Sequence, residues 1–183
     1  MTAEKTSAKQ AMEKAIGVAN VSDSVDGHAI EGLTPQVVVT PNSVDELASV
    51  MSSAYEEGLA VAPWGGGTRM DLGNPISRLD VVADLIRMNK MVQHDAADLT
   101  VTVEGGLTLS DLQRTLAAQG QFLAVDAAMP DITTIGGILA SGASGPLKWH
   151  YGSPRDLVIG MKVVQADGRV VKSGGQVVKN VSG

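Results

Sequence analysis

The sequence has 183 residues, and 14 Lys and Arg against 20 Asp and Glu give a formal net charge of −6 at pH 7. This acidic balance argues against nucleic-acid binding, because a phosphate backbone is bound by a basic surface. Cysteine is absent, which excludes disulfides, thiolate nucleophiles and cysteine-ligated metal or iron–sulfur centres within this chain. The 21 glycines are about 11% of the residues against a usual ~7%, so their placement is informative.

The two ends of the sequence carry no recognisable signal. Residues 1–15 are polar and lack the apolar core of a secretory signal, and no stretch approaches the ~18 apolar residues of a membrane span. These features predict a cytoplasmic protein, which would reach a membrane only through partner subunits. Residues 179–183 contain no terminating element, so we expect the sequence to be cut short at its C-terminus, with a natural C-terminal tail as the alternative.

The first third of the chain predicts a strand–helix–strand (βαβ) unit. Residues 36–40 form a β-branched run that is typical of a strand. Ser43 and Glu46 match a Ser-x-x-Glu capping box, in which each side chain accepts a hydrogen bond from the other residue's backbone N–H, so a helix is predicted from Ser43. Gly58 ends this helix, and residues 59–63 predict a second strand.

The remainder of the chain predicts strands around one helix. Residues 79–84 and 99–104 have strand character, and Thr108 is predicted to cap a helix that continues to about Gln119. A strand at 157–166 is followed by an Asp-Gly hairpin turn. The order predicts an α+β fold of two α/β subdomains, the βαβ unit and then a mostly antiparallel sheet with a helix.

A glycine-rich segment directly follows the second predicted strand and is called the first loop (residues 63–69). It contains Gly65, Gly66 and Gly67, followed by Thr68 and Arg69. Consecutive glycines can take positive φ and turn successive N–H groups inward, which forms an anion-binding nest. The Thr68 hydroxyl and the Arg69 charge add donors. A tight structural turn is the alternative for these glycines taken alone.

A second loop, residues 133–145, contains four glycines and several small side chains. Small residues let a flat or charged ligand approach the backbone, and close packing of a small-residue helix is the alternative. Neither loop has the Gly-x-Gly-x-x-Gly spacing of a dinucleotide fingerprint or the lysine of a P-loop. The three histidines lie far apart and no His, Asp and Glu grouping has metal-ligand spacing, so neither a catalytic residue nor a metal site is predicted.

In their order and spacing, the motifs of the chain resemble the FAD-linked oxidase family with the vanillyl-alcohol-oxidase, or PCMH-type, FAD-binding domain. The resemblance covers the chain from about residue 23 and implies a FAD-binding domain at 29–183 after an N-terminal helical and approach segment at 1–28, without the family's substrate domain. The ending Lys-Asn-Val-Ser-Gly is most similar to the FAD-binding subunits of glycolate oxidases. The motifs are Pro-x-Val-Val-Val-Thr-Pro at 35–41, the helix at 43–58, Pro-Trp-Gly-Gly-Gly-Thr at 63–68, Thr-Val-Glu-Gly-Gly at 102–106, Thr-Ile-Gly-Gly-x-x-Ala at 134–140, Tyr-Gly-x-x-x-Asp at 151–156 and Val-Val-Gln-Ala-Asp-Gly at 163–168.

The resemblance implies that the first loop cradles the FAD pyrophosphate and that the second loop lines another wall of the cofactor site. In family members that attach FAD covalently, a His commonly follows the glycines of the first loop. Thr68 stands at that place, so non-covalent FAD is expected. The expected cofactor-binding residues are Pro63, Trp64, Gly65, Gly66, Gly67, Thr68, Arg69, Pro130, Thr134, Ile135, Gly136, Gly137, Ala140, Ser141, Gly142, Ser144, Gly145, Tyr151, Gly152 and Asp156.

The resemblance also implies a function, the FAD-binding component of an oxidoreductase for 2-hydroxy acids such as glycolate or lactate. Other oxidase subunits, including an iron–sulfur protein, are the expected partners. Two alternatives stay open: a non-catalytic FAD-binding or assembly subunit or fragment, and an FAD-dependent enzyme resembling enolpyruvyl-sugar reductases. A continuation of the gene by about 150 or more residues would restore a substrate domain and favour the enzyme component.

Overall fold

The computed structural model describes residues 7–175 of the chain, so the C-terminal motif at 179–183 lies outside the described residues. The described chain forms two compact units whose segments alternate along the sequence. Its mixture of helices with parallel and antiparallel strands confirms the α+β prediction. The first unit takes residues 7–64, 70–87 and 162–171, and the second takes residues 65–69, 88–161 and 172–175.

The first unit is built on a four-stranded sheet. Its strands are β1 (Val21–Ser22), β2 (Val37–Val39), β3 (Val61–Trp64) and β4 (Val81–Asp84). Their order is β1-β2-β4-β3, and β2 and β3 both pair in parallel with β4, so the two strands of the predicted βαβ unit are not neighbours. All four residues of β4 are buried, as expected for a parallel strand covered on both faces.

Two helices, α1 (Ala8–Ile16) and α2 (Val44–Glu56), share a hydrophobic core with one face of this sheet. Met12 of α1 and Val50 of α2 are fully buried there. Alternate residues of a strand point to the same face, which explains why β2 and β4 contribute every second residue. The core residues of these elements are Ala8, Ala11, Met12, Val37, Val39, Val50, Ala54, Val81 and Ala83.

The caps of these helices differ from the prediction in one respect. The Ser43 hydroxyl accepts a hydrogen bond from the Glu46 N–H at 3.1 Å, as expected. The Glu46 carboxylate, however, accepts from the N–H of Asn42 at 2.7 Å, so the expected reciprocal bond to Ser43 is wrong. Asn42 also donates its side-chain amide to the same carboxylate oxygen, and this second bond favours the shifted arrangement.

The second unit contains the antiparallel hairpin of β5 (Met91–Asp95) and β6 (Thr100–Val103), followed by α3 (Leu109–Ala117). β6 and α3 confirm the sequence prediction, and the Thr108 hydroxyl caps α3 by accepting from the Asp111 N–H at 3.2 Å. β5 has no counterpart in the prediction, because its sequence Met-Val-Gln-His-Asp lacks a β-branched run and its burial does not alternate.

Three short helices then follow: α4 (Ile135–Ser141), α5 (Lys148–Tyr151) and α6 (Pro154–Leu157). Ile135 and Ile138 of α4 pack with Leu112 and Leu116 of α3 in the core of the second unit. None of the helices within residues 7–175 is long and apolar enough to cross a membrane.

The last elements are β7 (Gly160–Val164) and β8 (Val170–Gly174), which form a two-stranded sheet. Gly168 takes a φ of 84° between them. This arrangement confirms the predicted strand and its Asp-Gly turn, because only glycine readily adopts that backbone conformation.

Candidate functional site

The first loop, which follows β3, contains a run of backbone N–H groups without hydrogen-bond partners. None of the N–H groups of residues 65–68 donates a hydrogen bond to another group within residues 7–175. Of the three glycines, Gly67 takes a positive φ, at 67°. Successive unpaired N–H groups are the donor set of an anion-binding nest.

Two side chains add to these donors. Arg69 is exposed and makes no ion pair or hydrogen bond with any described residue, so its charge is available to a ligand. The Thr68 hydroxyl lies 3.5 Å from the Thr133 hydroxyl, too far for a strong hydrogen bond, so it can donate to a ligand. The loop therefore offers a positively charged group of donors in an acidic protein.

Close packing within the second unit also requires glycine at two positions of the first loop. A Cβ at Gly66 would overlap the carbonyl oxygen of Ile132 and lie 2.6 Å from its carbonyl carbon. A Cβ at Gly65 would overlap the hydroxyl oxygen of Thr134 and lie 3.3 Å from its Cβ. The two loops are thus held in direct contact, and the missing side chains are what permits it.

The second loop differs because the N–H groups at the start of α4 are already bonded. Ile135 donates to the Leu107 carbonyl at 2.9 Å and Gly136 donates to the Gly105 carbonyl at 2.8 Å. The Gly137 N–H donates to the hydroxyl of Thr134, which caps α4 at 3.2 Å. With these donors used, the start of α4 presents a surface of small residues rather than a nest.

Close backbone packing also explains Gly136. A Cβ there would lie 2.8 Å from the Gly105 carbonyl oxygen and 3.2 Å from the Gly105 Cα. The Gly-Gly pair of the 102–106 motif therefore meets the glycines of the second loop. On the other side of α4, Gly137, Leu139 and Ala140 are exposed, and Ser141 donates its hydroxyl to the Gly137 carbonyl at 2.7 Å.

After α4, the chain runs through small residues along a shallow concavity that has no room for a water molecule. Gly142 ends the helix in the left-handed conformation with a φ of 62°. Ser144, Gly145 and Gly152 line the concavity together with Asp126, a residue that no sequence motif indicated. The carboxylate of Asp126 accepts the Leu147 N–H at 2.7 Å.

The 151–156 motif forms a tight turn. The Asp156 carboxylate accepts the N–H and the hydroxyl of Ser153, each at 2.7 Å. The hydrogen bond from the Ser153 hydroxyl, and to a smaller extent that from its N–H, lowers the pKa of Asp156 below its ordinary value. Gly152 has a φ of 88° and faces Asp156.

The Tyr151 ring is 42% exposed, with its centroid 5.6 Å from that of Phe122 and 4.6 Å from that of His150.

The remaining expected residues lie in different environments. Pro63 and Trp64 end β3 in the first unit, and Pro63 is exposed. Pro130 is exposed, and its carbonyl accepts the Ser110 N–H at 3.0 Å. Ile135 packs in the core of the second unit with 9% of its surface exposed. Sequence reasoning missed Ile132, which contacts the first loop, and Asp126, which contacts the second loop. No local motif encodes these contacts.

Comparison with known proteins places the chain in a family. Residues 35–174 match the FAD binding domain family. The glycolate oxidase subunit GlcD of Bacillus subtilis (strain 168) is 32% identical over 149 residues, which cover 81% of this chain and 32% of that protein. A D-2-hydroxyglutarate dehydrogenase of Xanthomonas citri pv. viticola is 34% identical over 149 residues, with the same two coverages. The chain spans about a third of the length of these relatives.

A solved structure supports the same fold. The crystal structure of p-cresol methylhydroxylase matches with a TM-score of 0.75 and 24% sequence identity, covering 94% of this chain and 36% of that one. The fold is therefore that of PCMH-type flavoproteins, as the sequence motifs predicted. With the family match over residues 35–174, these findings show that the chain belongs to the FAD binding domain family and that its cofactor is FAD.

Proposed function

We propose that the chain is the FAD-binding component of an oxidoreductase that acts on 2-hydroxy acids such as glycolate or lactate. The two curated relatives are named for glycolate and D-2-hydroxyglutarate, which share a hydroxyl group next to a carboxylate. Their common chemistry supports this substrate class over an enolpyruvyl sugar. Because the chain spans about a third of these relatives, complete turnover is proposed for the assembled enzyme.

The observation that carries the proposal is the run of unpaired N–H groups at residues 65–68 beside the unpaired Arg69. The FAD pyrophosphate is an anion with several acceptor oxygens, which fits this donor set. The Thr68 hydroxyl adds a further donor, and the positive φ of Gly67 shapes the backbone that carries these groups. We assign the binding of the pyrophosphate to this loop.

The second loop supplies a surface for the rest of the cofactor. Gly137 and Ala140 are three residues apart in α4, so they lie on the same side of the helix, and both are exposed. Their small side chains would let a flat ring approach the helix. Ser144, Gly145, Tyr151 and Gly152 are assigned to the continuation of this wall.

The bound flavin would accept the hydrogen and electrons of the substrate, while the chain's own residues bind and orient the cofactor. Thr68 replaces the His that a covalent attachment would use at this position, so the cofactor is held non-covalently. Cysteine is absent from this chain, so an iron–sulfur cluster in the assembled enzyme would be bound outside these 183 residues.

The visible spectrum of the purified chain tests cofactor binding directly. We expect flavin bands at about 375 and 450 nm that pass into the supernatant when the protein is denatured by heat. Flavin that stays with the precipitated chain would contradict the non-covalent assignment. A folded, colourless protein that takes up no added FAD would overturn the proposal for this chain.

Replacement of Arg69 tests the first loop. We expect Arg69→Ala to weaken FAD binding about tenfold, or ~1.4 kcal/mol, because a charge-assisted contact to the pyrophosphate is lost. The free energy of unfolding should not change, since Arg69 has no partner among the described residues. Arg114→Ala is the matched control, because Arg114 is an exposed arginine of the same unit that pairs with Asp111. An equal loss of affinity in both variants would refute the assignment.

A further inference from the structure

Asp126 holds a segment of chain far from it in sequence. Its Oδ2 atom accepts the backbone N–H of Leu147 at 2.7 Å, across 21 residues. A hydrogen bond to an ionised carboxylate is stronger than one between neutral groups. Val125, which precedes Asp126, is buried in the core of the second unit, so the carboxylate is carried by a fixed point of the fold.

Gly145 lies against the same side chain. A Cβ at Gly145 would stand 2.5 Å from the Asp126 Cβ and 2.7 Å from its Oδ2. Asp126 therefore contacts both ends of the segment 145–147. It packs against the backbone of Gly145 and accepts a hydrogen bond from the N–H of Leu147. Any side chain at Gly145 would displace the carboxylate from Leu147.

The other hydrogen bonds of this segment join backbone groups, and the carbonyls of residues 145–147 all accept N–H groups of α5. Ala143 is buried and its N–H donates to the Ile138 carbonyl at 3.1 Å, which fixes the end near α4. The Lys148 N–H donates to the Gly145 carbonyl at 3.2 Å and begins α5. Between these two points, Asp126 provides the one side-chain hydrogen bond that the described structure gives to residues 144–147.

We propose that Asp126 is a positioning residue of the cofactor site, which holds residues 144–147 in the conformation that FAD binds. The inference rests on the proposed function, because Ser144 and Gly145 are assigned there to the cofactor wall and Gly145 packs directly against Asp126. Without the carboxylate, the segment must be ordered when the ligand binds, and the entropy lost in this ordering reduces affinity.

The test compares two replacements of Asp126 by flavin fluorescence titration of the full chain with FAD. Asp126→Ala removes the acceptor, and we expect the dissociation constant to rise tenfold or more. Asp126→Asn keeps a side-chain oxygen that can accept from Leu147, and we expect a rise of no more than about threefold. Asp131→Ala is the matched control, because Asp131 is exposed and its side chain makes no hydrogen bond or ion pair with a described residue.

A third variant guards against loss of the fold. Gly145→Ala should displace the Asp126 carboxylate from the opposite side and raise the dissociation constant to a similar extent, and it decides the matter if Asp126→Ala does not fold. Thermal unfolding of each variant separates stability from affinity. The inference would be overturned if folded Asp126→Ala or Gly145→Ala bound FAD with unchanged affinity. It would also be overturned if Asp126→Asn and Asp126→Ala lost affinity equally. Neither result would contradict the proposed function. Failure of the wild-type chain to bind FAD would overturn the proposed function together with the inference.

Discussion

The two glycine-rich loops have similar compositions but use their backbones differently. In the first loop, the N–H groups of residues 65–68 have no partner within the described chain. In the second loop, the N–H groups of Ile135, Gly136 and Gly137 all donate to the protein itself. The first loop therefore offers N–H donors to a ligand, whereas the N–H groups at the start of α4 are already used.

The comparison shows that a glycine cluster has to be interpreted through its hydrogen bonds. Gly65 and Gly66 have no positive φ, and what requires glycine there is the contact with Thr134 and Ile132. The N–H groups of the same glycines have no partner within the described chain. Packing and ligand binding are therefore two functions of the same residues, and substitutions can separate them.

The largest effect is expected from Gly66→Ala. The added Cβ would overlap the Ile132 carbonyl oxygen, which is backbone and cannot rotate away. Forced overpacking of this kind costs 1–3 kcal/mol or more, and we expect about 3 kcal/mol in the free energy of unfolding, with FAD binding also lost. Urea denaturation followed by circular dichroism measures the change.

Gly105→Ala is the control for this variant. A Cβ at Gly105 would lie 3.7 Å from the Gly136 Cα, an ordinary contact distance, and φ is not positive there. We expect its unfolding free energy within about 0.5 kcal/mol of wild type. If Gly66→Ala were as stable as Gly105→Ala, the two loops would not be packed as described.

A smaller effect separates two neighbouring glycines of the second loop. Gly136→Ala would bring a Cβ to 2.8 Å from the Gly105 carbonyl oxygen, and we expect a loss of about 1–2 kcal/mol in stability. Gly137→Ala would meet only the Thr134 hydroxyl, at 3.2 Å, and would gain helix propensity of about 1 kcal/mol. The second variant should therefore be nearly neutral, and the reverse order in urea denaturation would refute the account.

Much of the fold could be predicted from the sequence, because its strands and caps are encoded locally. The β-branched runs of β2 and β4 and the Asp-Gly turn before β8 determine local structure without reference to distant residues. β5 could not be predicted, since its five residues become a strand only by pairing with β6. The partner of Glu46 was predicted wrongly because Asn42 offers two donors that the capping pattern does not include.

The candidate site could be predicted only in part. Motifs located both loops, but the contact of Gly66 with Ile132 joins residues 66 positions apart and has no local signal. Asp126 was missed for the same reason, because its partner Leu147 is brought to it by the fold. Sequence motifs therefore identify where the donors and small residues are, and the tertiary structure determines which of them remain free.

The smallest expected effect sharpens this distinction between free and bonded groups. The Asp156 carboxylate already accepts two hydrogen bonds from Ser153, which lower its pKa below the ordinary value. A carboxyl whose pKa is lower in the folded than in the unfolded state stabilises the fold above its unfolded pKa, about 3.9, and loses this contribution as the pH falls through the folded value.

We therefore expect Asp156→Asn to be slightly less stable than wild type at pH 7, with the difference shrinking as the pH falls below about 4. The effect is small because the carboxylate is exposed to solvent. Asp131→Asn, at an exposed carboxylate without such bonds, is the matched control. Urea midpoints between pH 2.5 and 7 would measure both curves, and a difference for Asp156→Asn that grew on acidification would show that Ser153 does not favour the ionised carboxylate.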